Sequence, residues 1–214
     1  LPKQVFGHPW LLNGEDKMSK SIGNVIYADD LVRNFGVDAV RYYLLHEMPF
    51  AQDGNITFET LISRYNSDLA NTLGNLVNRT VAMVNKYFGG TIANPNADGE
   101  FDGELKEFAL STVKEAVSKM DELKVADSLE AVMNLARRSN KYIDETTPWT
   151  LAKSEETKER LGTVMYNLYE SIRFIAVLLG AFMPETSEKI FAQLNCDINT
   201  IESLESFGAS VSGV

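Results

Sequence analysis

The chain of 214 residues is 44% hydrophobic with 11 Phe, 8 Tyr and 2 Trp, enough for one large or two small domains and unlike a disordered chain. Its net charge of −10 excludes a nonspecific nucleic-acid coat, yet the acids are concentrated: 98–130 carries ten acids against four lysines, whereas 1–27, 57–97 and 131–153 are neutral to basic. No apolar run reaches the roughly 18–20 residues of a membrane span; no basic, apolar leader opens the chain, and its start without Met predicts a piece of a longer protein. The single cysteine, Cys196, excludes an internal disulfide and a cysteine-based zinc cluster, so a reducing, cytoplasmic setting is expected.

Residues 1–56 are mixed in character. Short strands are expected at 5–8 and 10–12, then a turn at Asn13-Gly14-Glu15-Asp16 and a lysine-rich loop. Asp38 is expected to begin a short helix over 39–48, closed by Pro49. From Thr57 the hydrophobic period becomes that of a helix. Phe58, Ile62, Tyr65, Leu69, Leu73, Leu76, Thr80, Val84 and Tyr87 predict one buried face, ended by Gly89-Gly90. Further helices are expected over about 104–123, from Asp127 to about Ile143 with Asp127 and Glu130 as a capping box, and over about 155–182 and 185–194. The run 174–183 is too short for a membrane and reads as a buried helix. Pro148 suits a first helical position beside Trp149. The fold class is therefore mainly α, with a bundle of about five helices at 57–196. A short α/β remnant at 1–56 precedes it and a linker-like tail at 197–214 follows.

Lys17-Met18-Ser19-Lys20-Ser21 holds the most chemical information. Two lysines three residues apart can converge on a polyphosphate, and the serine hydroxyls and loop N–H groups add donors. Gly14 and Gly23 are expected to be flexible ends that let the loop open and close over a ligand. The pentapeptide, followed by Ile22-Gly23-Asn24, resembles the KMSKS signature of class I aminoacyl-tRNA synthetases. That resemblance implies ATP binding by residues 17–21, with Lys17 and Lys20 catalytic and Lys20 the more direct stabiliser of the transition state.

Three further segments narrow the resemblance to methionyl-tRNA synthetases. Residues 36–45 with Asp53-Gly54 resemble that family's stem-contact segment. Residues 66–79 resemble the first helix of its anticodon-binding domain, and 140–149 the region carrying its anticodon-stacking tryptophan. The implied anticodon readers are Asn75, Arg79 and Trp149. Independently of the resemblance, Asn75 and Arg79 are four residues apart on a polar flank of their helix, where an amide and a planar guanidinium can address base edges. Trp149 can offer a flat face to an unstacked base. Arg137, Arg138 and Lys141 form a small basic cluster that either touches phosphates or pairs with the acidic helix. Trp10 is expected in core or interface, and Tyr42 and Tyr43 in packing. His8 and His46 are isolated, so no metal site is expected.

The resemblance implies ATP with Mg2+, methionine and tRNA(Met) as partners of a longer methionine–tRNA ligase. A class I enzyme also needs a HIGH-type motif, and this chain has no His-x-Gly-His sequence. It is expected to be inactive in methionine activation by itself. The alternative reading is a non-catalytic tRNA-binding or helical interaction module that retains a relic loop.

Overall fold

The computed structural model describes residues 1–3, 5, 7, 9–49 and 52–209. The expected strand at 5–8 includes Phe6 and His8, which lie outside the described residues. The small sheet is built from β1 (Leu11–Asn13), β2 (Asp16–Lys17) and β3 (Gly54–Ile56) in the order β2-β1-β3. β1 pairs antiparallel with β2, Leu12 opposite Lys17, and parallel with β3, Leu12 opposite Asn55. Between β1 and β2, Gly14 has φ 67°, the left-handed backbone that a two-residue hairpin turn asks of its first central residue.

Two short helices, α1 (Ala28–Phe35) and α2 (Val37–Glu47), lie between the loop and β3. A second, small core forms here from Leu31, Val40, Tyr43, Ile56 and Leu61. Asp38 does not begin its own helix. α2 starts at Val37, and the Asp38 carboxylate accepts the N–H of Thr186 at 2.6 Å, capping a helix 148 residues away.

The helical region opens with α3 (Phe58–Arg64), whose N-cap Thr57 makes a reciprocal capping box with Thr60. It then runs as a π-helix over Tyr65–Gly74 before continuing as α4 (Asn75–Phe88). The wider turn rotates one half of the apolar stripe against the other. Hence Phe58, Ile62 and Tyr65, expected on the buried face, are 48%, 46% and 40% exposed, and Leu61 is the residue of α3 that packs inward. From the last turn of the π-helix onward the expected pattern holds, with Leu73, Leu76, Thr80 and Val84 buried. Gly89, at φ 62°, caps α4 in the left-handed conformation.

The bundle is completed by α5 (Asp102–Asp121), α6 (Val125–Thr146), the one-turn α7 (Pro148–Leu151), α8 (Lys158–Leu179) and α9 (Pro184–Leu194). α6 starts two residues before the expected Asp127. Lys124 is its N-cap and no side chain caps it, so Asp127 is a first-turn acid and forms no capping box. α8 is the central helix. Nearly every side chain from Leu161 to Leu179 is buried, with α4, α5, α6 and α9 packed around it. No described helix is long and apolar enough to cross a membrane.

Burial of so many α8 positions brings polar side chains inside, and two clusters supply hydrogen bonds and opposite charges for them. Asp102 accepts from Arg160 at 2.8 and 2.7 Å, from Tyr142 at 2.6 Å and from the Gly99 N–H at 3.1 Å, joining α5, α6 and α8. Glu170 and Arg173, both fully buried, form a two-pronged ion pair at 3.0 Å. The tail completes their bonding. Arg173 donates to Ser203 Oγ and its carbonyl, and Glu170 accepts the Gly208 N–H at 2.9 Å. Composition predicts a linker at 197–214, but residues 201–204 form a 3-10 turn with Leu204 buried, and Ile198 and Phe207 pack on the main core.

The α/β segment is fastened to the bundle through α2. Arg41 donates to the carbonyls of Ala181 and Phe182 beyond α8, and Tyr42 donates to Asp68 in the π-helix at 2.9 Å. His46 stands between Glu47 and Glu130 of α6. Tyr42 is fully buried, and burial beside the Asp68 carboxylate raises its hydroxyl pKa far above the usual range.

Candidate functional site

The lysine loop is a compact turn with a defined fastening. Ile22 N–H and Gly23 N–H both return to the Ser19 carbonyl, at 3.2 and 3.0 Å. Gly23 has φ 76°, so this glycine and Gly14 serve as left-handed turn residues. Asn24 then reaches back across the loop. Its Oδ1 accepts the Ser19 N–H at 2.7 Å, its Nδ2 donates to the Lys17 carbonyl at 3.3 Å, and its own carbonyl accepts from Asn13 at 2.8 Å. Met18 points inward onto the small core, its Sδ accepting the Ile26 N–H at 3.4 Å. Its contribution to any ligand is therefore through backbone and placement. Lys17, Lys20 and Ser21 are exposed, and the Ser19 and Ser21 hydroxyls are 2.7 Å apart. Lys17 Nζ lies over the Trp10 ring at 4.9 Å. Trp10, expected in core or interface, is 64% exposed.

The second group lies at one end of the bundle. Asn75 is exposed and Arg79 half-buried, while Leu76 and Val77 between them and Thr80 just after are buried, so both occupy the polar flank of α4. Arg79 donates to Asp144, in the last turn of α6, at 3.3 Å. One turn further back on α6, Asn140 donates to the Thr72 carbonyl at the end of the π-helix at 3.0 Å. These two bonds fix the α4 flank against the end of α6, where the chain turns into α7.

That turn is made by Thr147 at φ 42° and ψ 60°, a left-handed conformation costly for a β-branched residue. It stops α6 and lets Pro148 start α7 at once, with Pro148 buried and Trp149 44% exposed. The Arg79–Asp144 bond thus ties the α4 flank to the last turn of α6, five residues before Trp149, whose side chain is partly exposed. The basic cluster pairs with carboxylates. Arg137 bonds Glu130, buried Arg138 bonds Glu104 and Glu145, and Lys141 bonds Glu145. Sequence reasoning missed Asn24, Asn140 and Asp144 as fasteners. The first is signalled by its position just after the loop; the other two have partners 68 and 65 residues away.

A fastened loop with two exposed lysines at a sheet edge, joined to a helical bundle, is the arrangement of a class I aminoacyl-tRNA synthetase region with its anticodon-binding bundle. The profile of the anticodon binding domain of methionyl tRNA ligase matches residues 92–207, and that of the class I (M) tRNA synthetases residues 1–81. The chain belongs to the methionyl-tRNA synthetase family. It is 56% identical to the methionine–tRNA ligase of Clostridium perfringens and 54% to that of Clostridium acetobutylicum, covering all of this chain and 33% of each relative. Among solved structures, Mycobacterium tuberculosis methionyl-tRNA synthetase in complex with methionyl-adenylate superposes with a TM-score of 0.91 at 35% identity, over 99% of this chain and 43% of that one. The chain therefore spans about a third of the length of its curated relatives.

Proposed function

We propose that this chain is the loop-and-anticodon portion of a methionine–tRNA ligase. Lys17 and Lys20 meet the triphosphate of ATP, with Mg2+, during methionine activation, while Asn75, Arg79 and Trp149 read the anticodon of tRNA(Met). The observation that carries the reading is the pairing of α4 with the end of α6. Arg79 is held by Asp144 five residues before an exposed Trp149 in a chain of this family. An exposed indole can stack on a splayed base, and the neighbouring amide and guanidinium can address base edges. For the loop, two exposed ammonium groups on a fastened turn suit an anionic ligand. A cytosolic setting fits the single buried thiol of Cys196.

The test is titration of a labelled anticodon stem-loop with the 214-residue chain. A CAU hairpin should bind more tightly than one with an exchanged anticodon. Trp149→Ala should weaken CAU binding by ~1–3 kcal/mol, the worth of one base stack. Arg79→Ala should weaken it and also reduce discrimination. Equal binding of both hairpins, or affinities indifferent to both substitutions, would sink the reading. The chain alone is expected to show no methionine-dependent ATP–pyrophosphate exchange, since it lacks a HIGH-type motif.

A further inference from the structure

We infer that Asn24 is a positioning residue for the reaction, a clasp that sets where the two loop lysines stand relative to each other. The inference rests on the proposed function of the loop and adds a residue to it. One side-chain amide closes the turn from both directions. Its oxygen takes the Ser19 N–H at 2.7 Å and its nitrogen gives to the Lys17 carbonyl at 3.3 Å. The two lysines flank these anchor points: Lys17 supplies one of them, and Lys20 directly follows the other.

Pairing opposite Leu12 of β1 already holds the Lys17 backbone in β2, so what Asn24 adds is the tie from Lys17 to the turn. Met18 anchors the loop inward through the small core and the Ile26 N–H, which fixes depth. The Ser19 carbonyl already receives Ile22 and Gly23, which fixes the width of the turn. Neither of these ties Lys17 to Ser19. Among the described residues it is the Asn24 amide that spans the two, and Asn13 holds the Asn24 backbone to β1 at 2.8 Å, so the clasp is referred to the sheet. An amide is the right group because one end must accept and the other donate in a single plane. A carboxylate can accept from Ser19 but has nothing to give Lys17, and a methyl side chain can do neither. Without the clasp Lys17 stays in β2, but the turn that carries Lys20 is no longer referred to it, and small misplacements of a catalytic group are costly in rate.

The experiment uses the full-length ligase carrying this chain, with Asn24→Ala and Asn24→Asp. Methionine-dependent ATP–pyrophosphate exchange in Asn24→Ala should fall by about 10²-fold in kcat, with KM for methionine and affinity for the CAU hairpin within about twofold of wild type. Amide hydrogen exchange at Ser19 should accelerate in Asn24→Ala and stay slow in Asn24→Asp, which keeps the acceptor. Asn24→Asp should still lose activity, through the missing donor to Lys17. An active wild type with unchanged kcat in Asn24→Ala, or Ser19 exchange indifferent to that substitution, overturns the clasp. A parallel loss of hairpin binding marks general unfolding and overturns it too, whereas a wild type with no methionine-dependent exchange overturns the ligase reading, and the Ser19 measurement still judges the clasp.

Discussion

Single residues in this chain act mainly through partners far away in sequence. Asp102 is buried, and burial by itself disfavours its charge. The hydrogen bonds from Arg160 and Tyr142 and the Arg160 charge outweigh that and hold its carboxyl below the usual range. A depressed folded-state pKa contributes stability that is fully present above the unfolded value, ~3.9, and is lost as pH falls through the lower folded value. Asp102→Asn should therefore be less stable than wild type by about 3–5 kcal/mol at pH 7, since Arg160 is left without its anion. The gap should narrow below about pH 4, which urea unfolding at stepped pH measures. Asn75 and Arg79 were legible as a polar flank because their spacing is local. The Asp144 partner of Arg79 was not, because nothing in either residue's neighbourhood specifies the other.

At the scale of elements, the π-helix decides where the candidate site points. An α-helix drawn continuously through 57–88 would put Phe58, Ile62 and Tyr65 in the core with Leu73 and Leu76. The π turn at Tyr65–Gly74 instead lets Leu61 serve the small core and Leu73 onward the large one. Deleting the exposed Asn71 should restore α-helical hydrogen bonding and rotate α4 by roughly 100° relative to α3. Asn75 and Arg79 would then leave the face of the α6 terminus. The expected result is nearly unchanged helical circular dichroism with loss of selective hairpin binding; retained selectivity would show that this register does not set the site. Periodicity failed here because it assumes one turn width throughout, and no residue in 65–74 announces a wider one. Gly89 and Pro148 were readable because capping and first-turn preferences act within a few residues.

The whole molecule joins two cores, a small one under the loop and a large one around α8, and ties both down from the ends. Asp38 caps α9 from the α/β segment, and residues 201–208 close over the buried Glu170–Arg173 pair from the other side. Truncation after Thr200 should cost about 3 kcal/mol or more, from the exposure of Leu204 and the loss of hydrogen bonds to a charged pair. At this size that lowers Tm by roughly 10 °C, measurable by calorimetry. An unchanged Tm would mean that the tail merely rests on the bundle. The sequence by itself determined the lysine loop, the helical class, the helix ends marked by Gly89 and Pro148 and the polar flank of α4, because these depend on residue chemistry and on neighbours within about a turn. Tertiary structure alone decided that Asp38 serves α9, that Asp144 holds Arg79, that the Ser- and Glu-rich tail is packed, and that the apolar stripe changes register. A hydrogen bond or an apolar contact is indifferent to how much chain separates its partners, so those pairings exist only once the chain has folded.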